Sequence, residues 1–507
     1  MMRTVEKRFL SNTAYNTLAT LITQLLGIFI IPLFLKKIGA ELYSIYILTG
    51  LVSGYMALFD LGISEGLCKT IGEYNTKKQF QKLSELVSTG GKILGLIGVV
   101  VALIIYGMTD RILVFISIPE HLEEIARQIL HLTALFALIQ WPVKIGRIVL
   151  RGTLHIREIS IVSCVTTLLI AVSLLLSVFN SFDIVLIRSI TLFLPVCADC
   201  ILVYFAIKRV PWTHFDLWKF QPSLLKGSRK FSLGILYSQL MSILAIQIDQ
   251  LIISKLIGVV YVSQYEITAK PFRSIVALQG GIMGVIMPTL YNMDCASDKS
   301  QIQKILNDGI KYRALIFIPI CYTVIALMKP FINLWMGEDY LHCAVWAQLF
   351  VALLVLSIFG VTMSVATVMG HLFLVNLVYT LRIALNIALS ITLVPKYGYG
   401  GVILGTLGSN LLTGDLFVMP YIVKRCGLQW KKAMRCGLQT IVFLSPVPFL
   451  ILYLTTLGEV NTFIQLISLS LLSLALCWGI SYFALLSNSN RLYLKQMVTK
   501  VLKKVKK

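Results

Sequence analysis

Glu266, Lys270 and Arg273 are spaced i, i+4 and i+7, which on an α-helix stacks all three on one face. A guanidinium donates through a planar fork and stays charged, so Arg273 with Lys270 beside it suits phosphate oxygens. Glu266 either pairs with Lys270 one turn away or takes a direct part in binding. Gln239, Ser242 and Asp249 form a second polar stripe at i, i+3 and i+10, and Asn12, Asn16, Thr20 and Thr23 form a third. The candidate substrate-binding groups are therefore Lys270, Arg273, Arg382, Gln239 and Asn16. Asp60, Asp249 and Glu266 are either protonatable coupling groups or structural partners of cations.

No catalytic set, cofactor motif or metal site is expected. G-x-x-x-x-G-K-[ST] does not occur, so no nucleotide is hydrolysed through a P-loop. Movement would then be driven by an ion gradient, the membrane potential or the gradient of the substrate itself. Cys197 and Cys200 form a C-x-x-C inside an apolar helix with no histidine or second pair nearby, which reads as packing.

These residues sit in an unusual chain. Of its 507 residues, 57% are hydrophobic and 13% charged, far from the balance of a water-facing protein. It must span a membrane. A helix needs about 20 residues at 1.5 Å each to cross the hydrocarbon. Fourteen runs of that size are expected, beginning at 13–35 and 42–66, with the seventh and eighth at 231–256 and 262–288, and the last two at 433–457 and 462–486. The net charge of +22 is gathered in short clusters between those runs. With the N-terminus inside, 33 lysines and arginines fall in inner segments and 6 in outer connections, a positive-inside bias that puts both termini in the cytoplasm. A nucleic-acid face is excluded, because every long stretch is committed to lipid.

On this topology Arg273 lies about 16 Å along its helix from the outer start, near the bilayer centre. Lys92 and Arg188 fall within a turn or two of a surface, where their side chains can snorkel. Asp199 and Asp415 receive no role.

The chain repeats itself. A shift of 219 positions aligns Ile38-Gly39 with Ile257-Gly258, Ser44 with Ser263, Tyr46 with Tyr265, Gly62 with Gly281 and Gly90 with Gly309. Six helices per copy is an even number, so both copies insert the same way up, related about an axis along the membrane normal. The expected organisation is a six-helix lobe over 1–207, a cytoplasmic linker over 208–230, a second six-helix lobe over 231–425, and two further helices with a basic tail over 426–507. The shift also lays Thr20 and Thr23 on Gln239 and Ser242, so both lobes would turn a polar stripe toward a shared cavity.

Ile31-Pro32-Leu33, Ile38-Gly39, Tyr43, Asp60-Leu61-Gly62, Lys69 and Tyr74, followed by Asp249, Ile252, Ile253, Leu256-Ile257-Gly258, Tyr265, Ala269-Lys270 and Pro288, resemble in order and spacing a known family. These are the Wzx-type lipid-linked oligosaccharide flippases, or polysaccharide biosynthesis proteins, of the multidrug/oligosaccharidyl-lipid/polysaccharide exporter superfamily. The resemblance implies two lobes in a V, a central cationic cavity and alternating access. It further implies that an undecaprenyl-diphosphate-linked sugar repeat unit moves from the cytoplasmic to the outer leaflet of the plasma (inner) membrane, for O-antigen, capsule or exopolysaccharide. Its lipid tail would stay in the bilayer through a gap between helices one and eight. Expected partners are the lipid-linked oligosaccharide, the bilayer and polysaccharide polymerase machinery.

Two other readings are open. A drug exporter of the same superfamily would line its lumen with acids, whereas the eighth span is net positive. A membrane polymerase or glycosyltransferase would need an acid pair or a sizeable outer loop, and the longest outer loop, 108–122, is short, with no D-x-D anywhere.

Overall fold

A computed structural model of the chain describes residues 2–180, 183–210, 229–291, 299–414, 418–486 and 491. Among them there is no strand. The helices are α1 (Met2–Met56), α2 (Ile63–Thr76), α3 (Phe80–Gly107), α4 (Thr109–Phe115), α5 (Glu123–Gly152), α6 (Ile156–Asn180), α7 (Ile184–Arg209), α8 (Arg229–Ile257) and α9 (Val260–Tyr291). They continue as α10 (Lys299–Met336), α11 (His342–Leu356), α12 (Val361–Val368), α13 (Leu372–Tyr397), α14 (Gly400–Thr413), α15 (Val418–Arg425), α16 (Trp430–Leu444), α17 (Pro446–Leu457) and α18 (Phe463–Ile480). The polytopic all-α membrane architecture is thus as expected. Eleven spans are long and apolar enough to cross a bilayer among the described residues. Fourteen were expected. The first two expected spans lie on either side of Gly39 within α1, and α8 and α9, which carry Asp249, Lys255, Glu266, Lys270 and Arg273, are not among the eleven.

Within α1, Gly39 has φ +83° and ψ 164°, a conformation closed to residues with a Cβ, and it divides the helix in two. Its repeat partner Gly258 has φ +107° and separates α8 from α9. Both members of this aligned pair thus take a positive φ at a helix break. Ser44 and Ser263 are both fully buried and touch, Ser44 Oγ accepting from the Ser263 N–H at 3.1 Å. That N–H belongs to the first turn of α9, where no carbonyl of its own helix is available. Ser44 supplies the acceptor.

The helices cluster into two compact units. The first comprises Met1–Glu266, Gly280–Val285 and Ile383–Gly405, the second Ile267–Gln279, Ile286–Arg382 and Thr406–Lys507. The expected linker 208–230 lies mostly outside the described residues.

Small residues let the helices of the first unit approach closely, the usual basis of packing where lipid is as apolar as the side chains. A Cβ on Gly146 of α5 would fall 2.5 Å from the Val203 backbone N of α7, and one on Gly98 of α3 2.9 Å from Trp141 Cβ of α5. Three ion pairs tie its helices further: Arg151 with Glu65, Arg209 with Glu158 at 3.1 Å, and Arg147 with Asp199 at 2.8 Å. Large apolar side chains such as Leu103, Val172 and Phe193 face outward, as lipid requires.

α10 forms the centre of the second unit. Tyr322 donates to the Ile441 carbonyl of α16 at 3.0 Å, Thr323 Oγ1 lies 2.7 Å from Ser473 Oγ of α18, and Gln348 of α11 donates to the Ile325 carbonyl at 2.9 Å. Each of these polar side chains in the apolar layer finds a partner on a neighbouring helix. α18, expected to lie outside the repeat, is bound to α10 in this way.

Candidate functional site: the charged hairpin α8–α9

α8 and α9 are joined through Gly258 and carry most of the polar groups singled out in the sequence. Asp249 is 3% exposed and accepts from the Tyr265 hydroxyl at 2.7 Å. One residue further on each helix, Gln250 Nε2 donates to Glu266 Oε1. Both contacts join positions 16 apart, so they form two consecutive rungs across the hairpin. A carboxylate as buried as Asp249 requires such a donor, because water is kept from it. Glu266 is thereby held by α8, an arrangement the i, i+4 spacing to Lys270 did not suggest.

Lys270 and Arg273 follow Glu266 on the same uninterrupted helix, and both are half-buried. The stacking read from the sequence therefore holds in the backbone. Phe272 stacks on Phe350 of α11, with ring centroids 4.0 Å apart, and fixes how this part of α9 is turned. A little further along, Gln279 Oε1 accepts from Arg313 Nη2 of α10 at 2.9 Å.

The remaining candidates are dispersed. Arg382 of α13 donates Nε to Thr413 Oγ1 of α14 at 3.3 Å and lies 5.6 Å from the Tyr379 ring. Asp60 is 3% exposed and accepts the Ser64 hydroxyl at 2.6 Å and the Ser64 N–H at 3.4 Å, in the first turn of α2. Asn16 and Gln239 belong to α1 and α8, but their side chains, like those of Thr20, Thr23 and Ser242, lie outside those described. Asp415 lies outside the described residues altogether.

Two charged groups behave differently from their sequence reading. Arg188 does not snorkel: it is 8% exposed, with Nη2 donating to Ser53 Oγ at 3.1 Å and the guanidinium 5.2 Å from the Tyr46 ring. Its position near a helix end concealed that the side chain turns inward onto α1. Asp199, left without a role, is 5% exposed and pairs with Arg147, which also donates to Ser163 at 3.3 Å. No group of three or more histidine, cysteine or acidic residues able to hold a metal occurs among the described residues, and Cys197 and Cys200 are unbonded thiols.

Residues 47–345 match the family model described as polysaccharide biosynthesis protein. No curated protein sequence matches. Among solved structures, the inward-facing conformation of a multidrug resistance MATE family transporter of the MOP superfamily superposes with a TM-score of 0.67 at 15% identity, covering 80% of this chain and 94% of that one. The lipid II flippase MurJ in an inward closed conformation also gives 0.67, at 16% identity over 92% of this chain and 98% of its own. The Vibrio cholerae MATE transporter VcmN in its bent form gives 0.53 at 15% identity over 85% and 99%. The family match covers more than half of the sequence, and the chain accordingly belongs to the polysaccharide biosynthesis protein family, on the helical membrane fold shared with MATE and MurJ.

Proposed function

We propose that the chain is a flippase that moves a diphosphate-linked oligosaccharide on its polyprenyl carrier from the cytoplasmic to the outer leaflet, for a cell-surface polysaccharide. The observation that carries the reading is the family match over 47–345 on a fold that, in its solved relatives, belongs to transporters, one of them named a lipid II flippase. In this reading 1–207 and 231–425 are the two lobes that rock, both termini are cytoplasmic, and Lys270 and Arg273 receive the diphosphate from α9. Arg382, Gln239 and Asn16 bind the sugars or the second phosphate. Asp249 and Glu266, fixed by Tyr265 and Gln250, hold α8 to α9 and keep negative charge off the anion's path. A polymerase would then take up the unit on the outer face.

Export of drugs by the same fold is the second reading. The pair Lys270 and Arg273 disfavours it, since a cationic drug is repelled by two cations on one helix face.

Deletion of the gene tests the proposal. Repeat units should still be assembled on their lipid but stay accessible only from the cytoplasmic side, with surface polysaccharide lost. Loss of the lipid-linked unit itself, with the other biosynthetic genes intact, would point to an enzyme.

A further inference from the structure

Arg188 is a buried cation whose attendants are neutral. Among the described residues no carboxylate pairs with it, and its hydrogen-bond and ring partners are the Ser53 hydroxyl at 3.1 Å and the face of Tyr46. Its Nε is buried and has no hydrogen-bond partner. The group is packed between the spans Ile184–Arg209 and Leu26–Asp60 and is 8% exposed, so little of an arginine's usual solvent reaches it. A lone guanidinium in such surroundings is costly and is found where something of opposite charge or high polarity attends it.

Two glycines of α1 let Arg188 and Gln247 come close to its backbone. Gly50 lies under the guanidinium, where an added Cβ would stand 3.8 Å from both Nη1 and Nη2. Gly54 lies one turn further on the same face of α1, and Gln247 of α8 presses its carboxamide there, Nε2 taking the place a Cβ would need. Residues at i and i+4 stand about 6 Å apart on a helix face, so guanidinium and carboxamide are near neighbours across a strip bare of side chains. Gln247 brings its Nε2 donor, not its oxygen, against α1 here. Ser53 accepts from Arg188, which leaves its hydroxyl proton to donate onward.

We propose that Arg188, Ser53 and Gln247 form an anion-binding site inside the first compact unit, for a small inorganic anion of the chloride class. Nε–H of Arg188 and the Ser53 O–H supply the donors, and the carboxamide of Gln247 closes the side toward α8. The burial of Arg188 to 8% exposure limits the guest to a few atoms, which excludes a sugar or a lipid headgroup. An anion there neutralises Arg188 and ties α7 and α1 to α8. The assignment is independent of the transported substrate.

The full-length protein in detergent tests it by its thermal unfolding midpoint, read while sodium chloride replaces sodium gluconate at constant ionic strength. Gluconate carries the same charge but is too large for the site. The midpoint of the unaltered protein should rise with chloride and saturate. Arg188→Gln should flatten the response, and Arg188→Lys should keep it with a half-saturating concentration raised about tenfold, since charge survives while the planar donor edge is lost. Ser53→Ala, a milder change, should raise that concentration several-fold and gives the answer if Arg188→Gln does not fold. A midpoint indifferent to chloride in the unaltered protein, or a response unchanged in Arg188→Gln or in Ser53→Ala, overturns the site.

Discussion

Replacement of Arg273 by alanine is expected to cut surface polysaccharide at least tenfold while the protein stays at its normal level in the membrane. The side chain is half-buried on the same helix face as Lys270, in a chain whose proposed cargo carries a diphosphate. A charge-assisted hydrogen bond to an anion contributes about 1.5 to 3 kcal/mol, or roughly 10- to 100-fold in affinity. Arg273→Lys should retain part of the activity, because charge remains when bidentate geometry is lost. Arg273→Glu should be worse than alanine, since it sets like charge against the cargo. Glu266 makes the contrary case measurable: it accepts from Gln250, and if Arg273 served only to balance it, Glu266→Gln combined with Arg273→Gln would restore function. Polysaccharide yield normalised to protein level separates the two outcomes.

The second large effect concerns folding. Arg147→Met should lower stability by about 3 kcal/mol, because it leaves Asp199, 5% exposed, without its counter-charge between α5 and α7. Arg147 is itself about a third exposed, which keeps the figure at the lower end of what breaking a buried pair costs. Arg147→Met with Asp199→Leu should recover most of the loss, since a buried pair can be exchanged for apolar side chains of similar size. The fraction of protein surviving heating in detergent reads all three forms. If the double variant is less stable than Arg147→Met alone, the pair is not what holds these helices.

The parts of the fold governed by length, apolarity and chain periodicity were legible before any coordinates. The hairpin α8–α9 and its charged face follow from spacing within one helix, and the repeat showed in Gly39 and Gly258, whose positive φ values only glycine readily supplies. Contacts between helices were not legible. Asp249 and Tyr265 are 16 residues apart, Arg147 and Asp199 are 52 apart, and nothing local to either residue announces the partner. The contact of Ser44 with Ser263 joins two positions the repeat had already equated, yet equivalence in a repeat does not imply touching. Arg188 shows the limit most clearly. Its distance from a helix end is a one-dimensional quantity, while its burial depends on the rotation of α7 about its axis, and a turn of about 100° per residue separates a lipid-facing arginine from one laid on α1.

Transport itself is the central claim, and reconstitution measures it most directly. The purified protein in liposomes containing a fluorescent polyprenyl-diphosphate-linked oligosaccharide, with a membrane-impermeant quencher outside, reports the fraction of lipid that reaches the outer leaflet over time. Liposomes with the unaltered protein should expose the inner pool to the quencher within minutes, and those with Arg273→Ala should resemble protein-free liposomes. Equal rates with and without the protein, or an Arg273→Ala variant as active as the unaltered chain, would contradict the account.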